Sequence, residues 1–221
     1  MRKFLVLVSL ALAVANSLHA SLLATSTLTG FNVIAGVYSF DIYARQTSMS
    51  PDSDIYVGTS QFFVRYNYSA VSSPTLSNIN PRYTGPDAST PYRPMEITVV
   101  TEGGGVQKIV VTIRRGFGVP SVLSNAGPLG ERICTVNLTI TNASQTSQVS
   151  WDVVNSAITD AALVAPIVNT FVGSDNRPLP VQLASFTGSV INQQGHVRLN
   201  WRTLTETNNY GFYVQKSQSN Q

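Results

Sequence analysis

The segments FDIYAR at residues 40–45 and QFFVRYNY at residues 61–68 decide the fold class of this chain. In the first, Phe40, Ile42 and Ala44 fall on one side of an extended backbone, and Asp41, Tyr43 and Arg45 on the other. In the second, Phe62, Val64, Tyr66 and Tyr68 oppose Phe63, Arg65 and Asn67. A period of two is what a strand with one buried face produces. The pattern returns at residues 95–101, 107–114, 132–141 and 148–154, and residues 165–171 read as a last strand. Glu102-Gly103-Gly104-Gly105 is a hairpin signal, because glycine reaches the positive φ values of a tight reversal. Strands about ten residues apart, with no long helical periodicity, predict an all-β antiparallel sandwich rather than a βαβ sheet. Only residues 156–162 predict a helical turn.

Two longer connections interrupt the series. Residues 69–94 carry Pro74, Pro81, Pro86, Pro91 and Pro94 with Asn78 and Asn80, and residues 116–130 carry Pro120, Pro128 and four glycines. Neither can be a central strand, because proline cannot donate to the ladder. Such loops either bind ligands at the end of a sandwich or cover its edges. Gly173 to Pro178 reads as a linker. The division is then a sandwich domain at 21–172, a linker at 173–180 and a second module at 181–221.

In that second module Val197, Leu199 and Trp201 alternate with Arg198, Asn200 and Arg202, and Phe212 and Val214 alternate with Tyr213 and Gln215. Two half-buried strands joined by a polar turn fall short of the roughly seven a sandwich needs. The expectation is an incomplete module, in a fragment of a larger protein, with Leu199, Trp201 and Phe212 left exposed.

Residues 1–20 have the layout of a cleaved secretory signal: Arg2 and Lys3, an apolar run over residues 4–14, then small and polar residues ending at Ala20. Ala13-Val14-Ala15 is an alternative cleavage site, and the run is too short to span a bilayer. Of 14 Lys and Arg, two leave with the signal, so 12 face 11 acids in the mature chain. That near-neutral balance, with no basic run interleaved with aromatics, argues against a nucleic-acid partner. Export of a chain with 1 Cys also excludes an internal disulfide framework.

The residues offer little chemistry. Cys134 alternates in phase with Val136, Leu138 and Ile140, so it is expected to point inward. The mature chain holds one histidine, His196, in the second module. HExxH, GxSxG and P-loop patterns are missing, and no spacing singles out a carboxylate pair. Asp152 is expected on an outward phase after Trp151. Asp52 and Asp54 make a DxD pair without the remaining EF-hand ligands and read as a solvated turn. The expectation is no enzyme, no cofactor and no metal. Candidate carbohydrate-stacking rings are Tyr43 and Phe63 on outward strand phases, and Tyr83, Tyr92 and Phe117 in the long loops. Exposed flat aromatics pack on the apolar faces of sugars while polar neighbours meet the hydroxyls; the alternative is that these rings seal loops onto the sandwich.

The pieces YSFDIYARQTS, DIYVGTSQFFVRYNYSA and VNLTITNASQTSQVSWDVVNSAI resemble an N-terminal β-sandwich similar to cohesin and to jelly-roll cellulose-binding modules. PLPVQLASFTG followed by NNYGFYVQKS resembles the fibronectin-type-III-like module near the C-terminus of proteins exported by the bacterial type IX secretion system. The resemblance spans most of the chain and carries no catalytic residue. It implies a secreted or cell-surface, non-catalytic interaction or spacer module of a larger bacterial protein. The alternative it implies is a carbohydrate-binding module serving a polysaccharide-active enzyme. Partners would be an extracellular polysaccharide or surface protein, and the export machinery.

Overall fold

The computed structural model describes residues 22–48, 54–101, 106–162, 167–179, 183–191, 196–203 and Val214. Residues 1–20, expected to be a secretory signal, and Asp52, the triple glycine and Phe212 lie outside them. β1 (Leu22–Ile34) and β2 (Val37–Gln46) form a hairpin through Ala35 and Gly36, both at positive φ, 50° and 80°. This is the backbone requirement of a two-residue reversal whose twist matches the strands. The remaining strands are β3 (Ser60–Asn67), β4 (Val71–Ser77), β5 (Glu96–Thr101), β6 (Val106–Ile113), β7 (Glu131–Ile140), β8 (Val149–Trp151), β9 (Ile167–Val172), β10 (Ser174–Asp175), β11 (Leu183–Val190) and β12 (Val197–Thr203).

The chain is an all-β sandwich. One five-stranded sheet has the order β4-β7-β2-β1-β9 and the other β10-β8-β3-β6-β5. Every pairing is antiparallel except β1 with β9, where Leu22 sits opposite Ile167. Phe40, Ile42 and Ala44 from β2 and Cys134, Val136 and Leu138 from β7 face Phe62, Val64 and Tyr66 from β3 and Ile109, Val111 and Ile113 from β6 in a single core. Each large apolar side chain removed from water contributes about 1.5–3 kcal/mol, so this alternation is what drives the two sheets together.

Several local expectations are corrected. Tyr68 is 42% exposed, not inward, because β3 ends at Asn67 and the chain turns. Residues 156–162 form no helical turn; Ala157 bridges Gln61 and Asp160 bridges Val57, an extended course along β3 and the segment before it. Asp152 is fully buried rather than outward, since the chain leaves β8 at Trp151 and folds the carboxylate onto Lys108. The proline-rich stretch after residue 69 does contain a strand, β4, but it is an edge strand with a register shift around Pro74. The segment read as a linker is fastened to the sandwich. Ser174 and Asp175 pair with β8, Pro178 bridges Thr146 and Leu179 is buried.

The long connections plug one end of the sandwich. Tyr83 and Tyr92 are buried and meet edge to face, with centroids 5.8 Å apart. The Tyr92 hydroxyl donates to the Val57 carbonyl at 2.8 Å and accepts from the Ser121 amide at 2.9 Å, so both long loops and the segment before β3 are tied through one ring.

β11 and β12 form a two-stranded antiparallel sheet. Phe186 sits opposite Trp201 and Val190 opposite Val197, while Thr187 faces Asn200 and Ser189 faces Arg198 on the alternate side. Its apolar side is open: Phe186 is 61%, Val190 70% and Val197 55% exposed.

Candidate functional site

The outer face of the first sheet is a floor of small polar side chains. Cross-strand register puts Thr25, Thr27 and Thr29 of β1 beside Arg45, Tyr43 and Asp41 of β2, and Asp41 beside Thr135 of β7, which faces Ser77 of β4. Tyr43 is the one aromatic residue of that central row. Its position depends on a bulge: Ile42 pairs with Cys134 but Tyr43 pairs with Arg132. The extra residue, Ile133, turns inward with Cys134, and Arg132 swings out beside the ring. A bulge near a site re-aims side chains in this way.

Tyr43, Asn78, Ile79, Asn80, Pro81 and Arg132 line a shallow cleft of about 470 Å³. Its wall is held from several sides. Asn78 sits at φ 48°, and its amide donates to the Thr135 hydroxyl at 3.2 Å, which in turn donates to Asp41 at 2.5 Å. Asn80 accepts from the Arg82 amide at 3.0 Å, capping a single 3₁₀ turn at Pro81–Tyr83, and donates to the Arg132 carbonyl at 2.9 Å. The exposed Arg132 guanidinium has no hydrogen-bond or ion-pair partner among the described residues. Among the described residues the cleft therefore offers a ring face, an exposed planar cation and a hydroxyl-rich floor on hydrogen-bonded backbone, a combination suited to holding a ligand.

The five expected rings do not assemble. Tyr43 is in the cleft. Phe63 is half-buried on the outer face of the second sheet, across from Val110, on the opposite side of the sandwich. Phe117 stands alone in its loop at 73% exposure. Tyr83 and Tyr92 face the interior and cannot stack on a sugar: the loops that carry them fold inward to close the core. The residues that complete the cleft, Arg132, Asn78 and Asn80, come from segments some fifty residues apart, joined by the β4–β7 pairing; only the two asparagines gave a local signal, as turn residues.

Other polar groups serve structure. At the far end of the sandwich a cavity of about 340 Å³ is lined by Phe31, Tyr38, Asp175 and Arg177 among others. The Tyr38 hydroxyl donates to Asp175 at 2.8 Å and the Arg177 Nε does so at 2.7 Å, with the guanidinium 6.0 Å from the Phe31 ring centre. Burial, then the nearby Asp41 carboxylate, pushes the Cys134 thiol up to about 12, so it stays protonated and inert. Among the described residues no group of three or more His, Cys, Asp or Glu could hold a metal ion, and no helix is long and apolar enough to cross a membrane.

No protein-family model and no curated protein sequence matches the chain. Solved structures similar to it are cohesin modules. The second type II cohesin module of the cellulosomal adaptor ScaA scaffoldin of Acetivibrio cellulolyticus is 6% identical over 72% of this chain and 98% of its own, with a TM-score of 0.37. CaCohA2 from Clostridium acetobutylicum is 10% identical over 71% and 88%, with a TM-score of 0.36. The cohesin of a type II cohesin–X–dockerin complex from Acetivibrio cellulolyticus is 8% identical over 71% and 99%, with a TM-score of 0.34.

Proposed function

We propose that this chain is a non-catalytic interaction module of an exported protein and that it engages its ligand at the Tyr43 cleft. The observation that carries the reading is a contrast in how polar groups are used. Asp41, Glu96, Glu131, Asp152, Asp160 and Asp175 are all committed to internal hydrogen bonds or ion pairs, whereas the Tyr43 ring and the Arg132 guanidinium face outward from a fixed floor. Residues that do chemistry need an uncommitted base or nucleophile; residues that recognise need exposure and rigidity. The signal layout of residues 1–20 supports export. The amphipathic β11–β12 pair supports a second, fibronectin-like module, and with it the type IX route.

The second reading, a carbohydrate-binding module, is favoured by one feature: an aromatic ring flanked by threonine hydroxyls and asparagine amides, the pairing that sugar rings require. The two readings separate in a single retention experiment. The purified chain and its Tyr43→Ala and Arg132→Ala variants are passed over immobilised polysaccharides and over an immobilised cell-surface protein extract. Saturable retention on a polysaccharide that either substitution abolishes establishes the carbohydrate reading. The same dependence on the protein extract alone establishes a protein partner. Retention unchanged by both substitutions overturns the cleft as the site, and turnover of any polysaccharide overturns the non-catalytic reading.

A further inference from the structure

The sandwich has four sheet edges, and three of them are guarded. β4 carries Pro74 inside a register shift, with Ser73 at φ 53°, so its ladder is interrupted. β9 is covered: the Asn169 side chain exchanges hydrogen bonds with the backbone of Ile158 in both directions, and the Trp151 indole donates to the Val172 carbonyl at 2.9 Å. β10 is two residues long. Among the described residues β5 has none of these devices. It is six residues, Glu-Ile-Thr-Val-Val-Thr, paired to β6 without a register break. It contains no proline and no lysine, and it exposes Val99 at 41% and Val100 at 46%. A regular, β-branched edge that no described strand covers is a template for another strand.

We propose that β5 pairs antiparallel with β5 of a second copy, joining the two β10-β8-β3-β6-β5 sheets into one continuous sheet about a two-fold axis. The register follows from faces and strand ends. Opposed residues must point to the same face, so Thr98 or Val99 lies on the axis. A Val99 axis would carry Glu96 past Thr101, the last residue of β5 in the second copy, and leave it without a partner on that strand. The Thr98 axis sets Thr98 against its own copy, Ile97 against Val99 and Glu96 against Val100. Both exposed valines gain cross-strand partners and no like charges meet. Glu96 keeps Arg114, the residue just after β6 of the same chain, whose guanidinium lies 2.6 Å from it.

Thr98 is exposed on the outer face, so changing it leaves the core untouched. Sedimentation velocity of the full chain is expected to show a dimer. Thr98→Lys and Thr98→Glu each place like charges on the axis and are expected to give monomers with unchanged far-UV circular dichroism. An equimolar mixture of the two is expected to recover the dimer mass as a mixed pair. A monomeric wild-type chain overturns the proposal, as does a dimer that survives Thr98→Lys or a mixture that stays monomeric. The exposed apolar side of the β11–β12 pair is the competing surface: association removed by Phe186→Ser but kept in Thr98→Lys overturns the β5 assignment.

Discussion

The buried hydroxyl of Tyr83 donates to a carboxylate oxygen of Glu131, and that one carboxylate holds three further groups. The Ser124 amide donates to the same oxygen at 3.0 Å, while the Asn80 amide at 3.2 Å and the Arg82 guanidinium at 2.8 Å meet the other. The first residue of β7, the proline-rich loop and the loop before β7 are therefore tied through a single carboxylate, and the backbone of the Tyr43 cleft is built on it.

Replacing Glu131 with Ala is expected to destabilise the sandwich by about 2–4 kcal/mol, because hydrogen bonds to a charged group are worth about 1.5–3 kcal/mol and their partners lose it together. Tyr83→Phe, which removes one donor, is expected to cost about 1 kcal/mol. Urea denaturation of both variants checks this. A Glu131→Ala loss no larger than that of Tyr83→Phe would show that the carboxylate is not the common tie.

Gly130, next to Glu131, sits at φ 78°, and a Cβ there would overlap the Ala44 carbonyl oxygen and the Arg45 side chain. Gly127 has a similar φ of 65° but nothing within 4 Å of the added atom. Gly127→Ala is expected to cost about 1 kcal/mol, the left-handed penalty alone, and Gly130→Ala several times more, with loss of ligand retention at the cleft. Equal thermal shifts in the two variants would mean that β7 moves away from β2 freely.

Stability is expected to fall on acidification. Burial raises the Asp175 carboxyl, but hydrogen bonds from Arg177 and Tyr38 outweigh it and hold the group below its usual range. At Asp152, burial is likewise outweighed by Lys108, Asn155 and Arg65. A carboxyl depressed in the folded state stabilises fully above its unfolded value, about 3.9, and that contribution is lost as pH falls through the folded value. Denaturation midpoints measured from pH 7 downward should decline steepest below about pH 4, and Asp175→Asn should start lower and decline less. A wild-type midpoint that rises with acid contradicts the sign.

The fold class was legible because β2, β3, β6 and β7 bury large side chains on one face, which prints a period of two into the sequence. β1 was not legible: its inward residues include Ala24 and Ser26, too small and too polar to stand out from the threonines between them. Loop burial failed for a different reason. Tyr83 and Tyr92 lie among prolines and asparagines that mark irregular backbone, and local sequence does not say that an irregular segment folds over a sheet end. The cleft was legible only as Tyr43. Arg132 joins it through a bulge between strands ninety residues apart, information that exists in the pairing and not in either segment.

The parallel β1–β9 pair has a consequence for the order of events in folding. Ala24 to Thr27 pair on one side with β2, but the other side of Leu22 to Thr27 finds its partners at Ile167 to Val172, so half of the first strand's ladder waits for nearly the last strand. A chain emerging from its N-terminus can form the β1–β2 hairpin early, but neither sheet closes until about 150 residues have followed. Contacts of such sequence separation make assembly slow, since loop-closure entropy is lost before the contacts that compensate it form. The sandwich thus has a built-in delay: its ends are its keystone, and a chain that has not yet reached β9 cannot complete its first sheet.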